Sequence, residues 1–100
     1  MKKKHSLQEI ENILRDLKPL LKEQFKVKRI GIFGSYLKGK ERKSSDIDIL
    51  IDFFEEPSFF KFIELEEFLT KKLGVKVDLV IKDTLKPRIK KIILQEILFL

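Results

Sequence analysis

Residues 46–53 read Asp-Ile-Asp-Ile-Leu-Ile-Asp-Phe, with Ile47, Ile49, Ile51 and Phe53 on one face and Asp46, Asp48, Leu50 and Asp52 on the other. A period of two over eight residues predicts a β-strand with one face on a core. Aspartate is depleted in strands, so several on one face need a reason. A second alternating run, Val75–Ile81, points Val75, Val77, Leu79 and Ile81 inward and leaves Asp78 on the opposite face. If the two strands are neighbours, Asp46, Asp48 and Asp78 meet on one side of the sheet. Unit charges about 5 Å apart at an effective dielectric near 20 repel by roughly 3 kcal/mol, so such a cluster calls for a cation. Oxygen ligands of this hardness favour magnesium or manganese.

A third apolar segment, 27–33, predicts a short strand that ends at Gly34-Ser35. A turn and one or two helical turns are expected from Ser35, placing backbone amides where they can hold phosphate. A polar loop, 40–45, separates this turn from the acidic strand.

The rest of the chain supplies helices. Ser6 and Glu9 form a capping-box pattern that opens a helix with the stripe Leu7, Ile10, Ile13, Leu14, Leu17 and Leu21. Pro19 falls inside that stripe and is expected to kink or split the helix near Lys18. Ser58 caps a second helix whose buried face is Phe59, Phe62, Ile63, Leu65, Phe68, Leu69 and Leu73, stopped by Gly74. Asp83 or Thr84 is expected to cap a third, with Pro87 in its first turn and the stripe Ile89, Ile92, Ile93, Ile97 and Leu98. The order helix, strand, short helix, strand, helix, strand, helix is that of a small α/β (α+β) fold.

One hundred residues, 43% of them hydrophobic and nine of them Phe, predict one packed domain over 1–100 with no separate substrate domain. The absence of Cys excludes a disulfide framework, a thiolate zinc site and a cysteine nucleophile. No apolar run approaches the roughly 20 residues of a membrane span, and no signal-peptide core follows the basic start, so the cytoplasm is expected. The net charge of +6 (22 Lys and Arg against 16 Asp and Glu) suits attraction to a polyanion: a nucleotide, RNA or an acidic partner surface. It equally suits a solvated lysine-rich surface.

Three stretches together, Ile32-Phe33-Gly34-Ser35-Tyr36-Leu37-Lys38-Gly39, Ser45-Asp46-Ile47-Asp48-Ile49-Leu50-Ile51-Asp52 and Lys76-Val77-Asp78-Leu79-Val80, resemble the minimal nucleotidyltransferases of the DNA polymerase beta superfamily. The hallmark of that family is a G-S-x-A-R-G loop, a D-x-D and a third acid. The resemblance covers most of the chain. It implies a small mixed sheet with helices packed on one face, and a metal-dependent nucleotidyltransferase using ATP and two magnesium ions, or manganese. It also implies the antitoxin half of a two-gene system, transferring AMP to a tyrosine of a HEPN-domain ribonuclease toxin. Direct nucleic-acid binding is not expected. Asp46, Asp48 and Asp78 are then the catalytic and metal-binding residues, and Gly34, Ser35 and Lys38 the nucleotide-binding ones.

Leu37 and Lys38 depart from the hallmark Ala and Arg. Lys38 keeps the charge but loses the planar fork that grips phosphate in two places. Two other readings stay open: nucleotidyl transfer to a small molecule or RNA end, and a non-catalytic antitoxin that masks its partner. Among further residues, Asp52, Arg42 and His5 are expected to be solvated, and Tyr36 to pack on its neighbours. The Phe set around Pro57 is expected to be at least half core, any exposed remainder forming a partner surface.

Overall fold

The computed structural model describes residues 6–39 and 46–100. Arg42, His5 and the polar loop 40–45 therefore lie outside the described residues. The elements in order are α1 (Leu7–Phe25), β1 (Val27–Phe33), β2 (Ile47–Phe53), α2 (Phe59–Leu73), β3 (Val77–Ile81), a 3-10 turn (Lys82–Thr84), α3 (Pro87–Glu96) and β4 (Leu98–Phe99).

The capping box opens α1 as predicted: the Glu9 amide donates to Ser6 Oγ at 3.2 Å, and the Ser6 amide donates to Glu9 Oε1 at 3.0 Å. Pro19 does not split the helix, which runs unbroken to Phe25 and closes on Lys26 in the left-handed region (φ 59°). A proline inside a helix costs about 3 kcal/mol or more, because one amide hydrogen bond is lost and the ring crowds the preceding turn. Leu21 and Phe25, beyond the proline, are buried. At about 1.5–3 kcal/mol each, they offset that cost only if the helix continues past Pro19.

Among the described residues the sheet has four strands in the order β3-β2-β1-β4. β1 runs antiparallel to β2 and to β4, while β2 and β3 are parallel, joined by α2. The sheet is thus mixed, as expected. Ile30, Ile32, Ile47, Ile49, Ile51, Val77 and Leu79 enter one core with Ile10, Leu14 and Leu21 of α1 and Leu65, Leu69 and Leu73 of α2. The inner face of α2 is this leucine row at spacing four. Phe59, expected on that face, is exposed, as are Phe60 and Phe54. Phe59 lies in the first turn, ahead of the leucine row that meets the sheet.

Two elements differ from expectation at the C-terminus. Neither Asp83 nor Thr84 caps α3: Thr84 Oγ1 donates to the Ile81 carbonyl at 2.8 Å inside the 3-10 turn, and Lys86 takes the cap position without a side-chain hydrogen bond. Pro87 does begin the helix. After α3 the chain returns as β4, pairing Phe99 with Gly31 and Leu98 with Ile32. None of α3 is fully buried, and Ile89 and Ile92 are exposed.

The C-terminal segment covers part of the face opposite α1 and α2. A side chain at Gly31 would meet Ile97 Cγ1 at 2.7 Å and Phe99 Cδ1 at 3.1 Å. Leu50, the register partner of Gly31, is 1% exposed although it shares its face with Asp48 and Asp52. Gly31→Val should therefore lower stability by about 1–3 kcal/mol by pushing this segment off the sheet, read as a lower urea midpoint.

Candidate active site

β1 ends at Phe33, which lies opposite Asp48 in the antiparallel register. The next residue, Gly34, has φ +79°, a conformation that side chains disfavour. A Cβ at Gly34 would also collide with the Asp48 carboxylate. Glycine is thus required twice here: to turn the chain, and to let the backbone lie against an acid.

The segment that follows is a hydrogen-bonded turn rather than the expected helix. The Lys38 amide donates to the Gly34 carbonyl at 3.2 Å and the Gly39 amide to the Tyr36 carbonyl at 3.3 Å. Gly39, at φ +68°, ends it. Tyr36 is 1% exposed and Leu37 packs against the core, so both side chains anchor the turn from within. The bulk of Leu37 is accommodated in the core. Gly34 and Ser35 therefore open a turn with no helix behind it among the described residues.

The parallel register places Asp48 directly beside Asp78. Neighbouring strands are about 4.8 Å apart, which brings the two carboxyls into contact. Burial, then the Asp78 charge and a hydrogen bond to the Asp78 side chain, then the Asp46 charge, push the Asp48 carboxyl up to about 6. Asp78 is exposed at the sheet edge, whereas Asp48 is half-buried. Asp46 sits one residue before β2, close enough to act on Asp48 electrostatically, with its own carboxylate 4.0 Å from Lys76 Nζ. Asp48 and Asp78 are thus brought together and Asp46 stands beside them. Among the described residues, no three acid or histidine side chains already form a metal cage.

Asp52 differs from expectation. It is 9% exposed, with Lys82 Nζ at 3.6 Å and Arg29 Nε at 4.0 Å. Two cations that converge from β1 and the 3-10 turn keep this carboxylate off the solvent and away from the Asp48–Asp78 pair. Lys38 Nζ meets Glu96 Oε2 of α3 at 3.1 Å, with both side chains half-exposed.

The sequence reading missed what holds β3, the edge strand that carries Asp78. The Val77 amide donates to Thr70 Oγ1 at 3.1 Å and the Leu79 amide to Glu66 Oε2 at 3.4 Å. Thr70 and Glu66 are four apart on α2 and together occupy the free edge of the strand. A polar pair at that spacing looks like any solvated helix face, so only the fold reveals it.

Residues 10–100 match the nucleotidyltransferase domain family, and the chain belongs to it. It is 52% identical over 94 residues to a protein of Thermococcus cleftensis named protein adenylyltransferase MntA, an alignment that covers 94% of this chain and 95% of that one. Its fold is similar to a solved structure described as a minimal nucleotidyltransferase (TM-score 0.83, 28% identity, 97% of this chain and 98% of that one). It is also similar to a chain in a complex of tri-AMPylated HEPN toxin with MNT antitoxin from Shewanella oneidensis (TM-score 0.60, 25% identity, 92% of this chain and 66% of that one).

The raised Asp48 carboxyl has a sign that can be checked. Its pKa in the fold lies above the ordinary 3.8, so the folded state holds more protons than the unfolded between about pH 4 and pH 6. The stability tied to protonated Asp48 is present below pH 4 and lost as pH rises through 6. Without divalent metal, Asp48→Asn should raise Tm by about 5 °C at pH 7 and change it little at pH 4. Thermal unfolding at the two pH values reads the difference.

Proposed function

We propose that this chain is a metal-dependent protein adenylyltransferase that transfers AMP from ATP to a tyrosine of a HEPN-domain partner and thereby acts as its antitoxin. The observation that carries this reading is the Asp48–Asp78 pair, set in register and pressed against Gly34. Two like-charged carboxyls beside an open backbone turn are costly for a fold to retain without a bound cation. The relatives named protein adenylyltransferase and the AMPylated toxin complex support the choice of chemistry.

The donor set fits magnesium or manganese. It is all carboxylate oxygen, and the upward push on Asp48 comes from burial first and then from the Asp78 and Asp46 charges, both of which a divalent cation offsets. Asp46, Asp48 and Asp78 would hold the two ions. With metal bound, the site gains positive charge to offset the triphosphate and the departing pyrophosphate.

The protein's own groups do the rest. The Gly34-Ser35 amides and the Ser35 hydroxyl hold the outer phosphates. Lys38 swings from Glu96 to add a cation. Asp78, on the exposed edge of the sheet, faces an incoming acceptor and takes the proton of its hydroxyl. The acceptor oxygen forms the new bond to the α-phosphorus, and the bond to pyrophosphate breaks in line with it. A cytoplasmic setting would supply the ATP. Among the described residues no helix is long and apolar enough to cross a membrane.

Mixing the protein with a HEPN partner encoded beside it, ATP and magnesium should add the mass of AMP to the partner, mapped to a tyrosine by peptide sequencing. Asp46→Ala and Asp78→Asn should abolish the addition without loss of the thermal unfolding transition. If the partner's mass never changes while its ribonuclease activity is still blocked, inhibition is by masking. Lys38→Ala should weaken ATP binding by about tenfold at most, since the side chain is half-exposed, and Lys38→Arg should restore it. Calorimetric titration with magnesium measures both.

A further inference from the structure

The second half of α1 and the first half of β1 enclose a groove of about 340 Å³ with no catalytic residue in its wall. Four cations surround it, Lys18 and Lys22 from α1 and Lys28 and Arg29 from β1, and no acid lines it. Its floor is apolar: Pro19, Val27 and Ile30. β1 runs seven residues from Val27 to Phe33 beside Asp48, and the groove takes its first four, so its wall lies about 10–20 Å along the strand from the carboxyl pair.

Two of the four cations have a partner, and two have no carboxylate partner among the described residues. Lys18 Nζ donates to the main-chain oxygen of Leu100 at 2.8 Å. Lys22 and Lys28 flank the exposed Phe54 ring at 5.8 and 5.9 Å. Arg29 shares Asp52 with Lys82, which is closer, and its guanidinium lies over the Phe99 ring at 4.2 Å. That stacking holds the planar fork in place, the geometry that suits a carboxylate.

Among the described residues no strand pairs with the Val27–Arg29 edge of β1 that faces away from β2. β4 pairs with Gly31 and Ile32, and its last contact is the Leu100 amide on the Ile30 carbonyl at 3.0 Å. Between Val27 and Arg29 the register with β2 shifts, and Lys28 is the extra residue. Lysines and a bulge on an open edge discourage pairing with another basic edge. A second copy of this chain would bring the same four cations and be repelled.

We propose that this groove docks an acidic segment of a partner protein, its carboxylates on the four cations and an aliphatic side chain on the Pro19–Val27–Ile30 floor. Charge complementarity carries the choice of an acidic occupant. The floor selects a peptide, since Pro19, Val27 and Ile30 offer an aliphatic side chain a dry seat, whereas a nucleic acid would stack its bases on the single exposed Phe54 ring outside the groove wall. A partner held here leaves the carboxyl pair uncovered, so docking and chemistry occupy opposite ends of β1. The inference does not depend on adenylyl transfer.

The test uses a fluorescein-labelled octapeptide alternating glutamate and valine, with fluorescence anisotropy read at low salt and without ATP. Controls are the lysine–valine peptide, octaglutamate and an oligouridylate of equal length. The glutamate–valine peptide should bind, weaken with added salt, and bind more tightly than octaglutamate, which lacks the aliphatic side chain. Lys22→Glu with Lys28→Glu should weaken it by about tenfold or more, and Lys22→Gln with Lys28→Gln by an intermediate factor. Thermal unfolding and ATP titration should match the parent in both variants, which separates this outcome from failure of the catalytic reading. The proposal is overturned if the glutamate–valine peptide does not bind, if the double variants bind it equally, or if oligouridylate binds more tightly and displaces it.

Discussion

The structure is organised around a repulsion. Parallel pairing of β2 with β3 sets Asp48 beside Asp78, and Asp46 adds a third negative charge at the entry to β2. Burial and the neighbouring carboxylates together push the Asp48 carboxyl up to about 6, so at neutral pH its ionised form is held against an opposing field. A fold keeps such an arrangement only if the strands beneath cannot slip. A one-residue slip in register would turn the isoleucines out and the aspartates in.

The resistance to slipping comes from beneath and from the side. Ile47, Ile49 and Ile51 are fully buried, and so are Leu65, Leu69 and Leu73 of the connecting helix. Thr70 and Glu66 on the same helix accept the Val77 and Leu79 amides, so the edge strand is held by side-chain acceptors where no further strand pairs with it among the described residues. Gly34 then brings the main chain against Asp48 at the one place where a side chain has no room. The carboxyl pair is a consequence of core packing on the opposite face of the sheet.

The C-terminal segment links the two ends of the molecule. β4 closes on Gly31 and Ile32, and Glu96 just before it holds Lys38 of the turn beside the acids. Phe99 of the same strand carries the Arg29 guanidinium at the basic groove. The segment from Glu96 to Phe99 thus touches both the Gly34–Gly39 turn and the groove, while most of the surface of α3 is left uncovered.

Much of this was legible in the sequence because it depends on local periodicity. The capping box at Ser6, the strand at 47–53, the Gly74 stop and the acids on the outward face follow from spacing alone, since side chains on a strand alternate whatever surrounds them. Tertiary structure decided what depends on neighbours. Burial beyond Pro19 kept α1 whole, and two cations from separate elements buried Asp52. Core anchoring of Tyr36 and Leu37 made residues 35–39 a turn, and β4 arose from two residues finding the edge of β1. Strand pairing across the chain is settled by the free energy of the whole core, which no window of sequence contains. So the register that sets Asp48 against Asp78 could be expected from the sequence only on the condition that β2 and β3 are neighbours, and the fold supplies that condition.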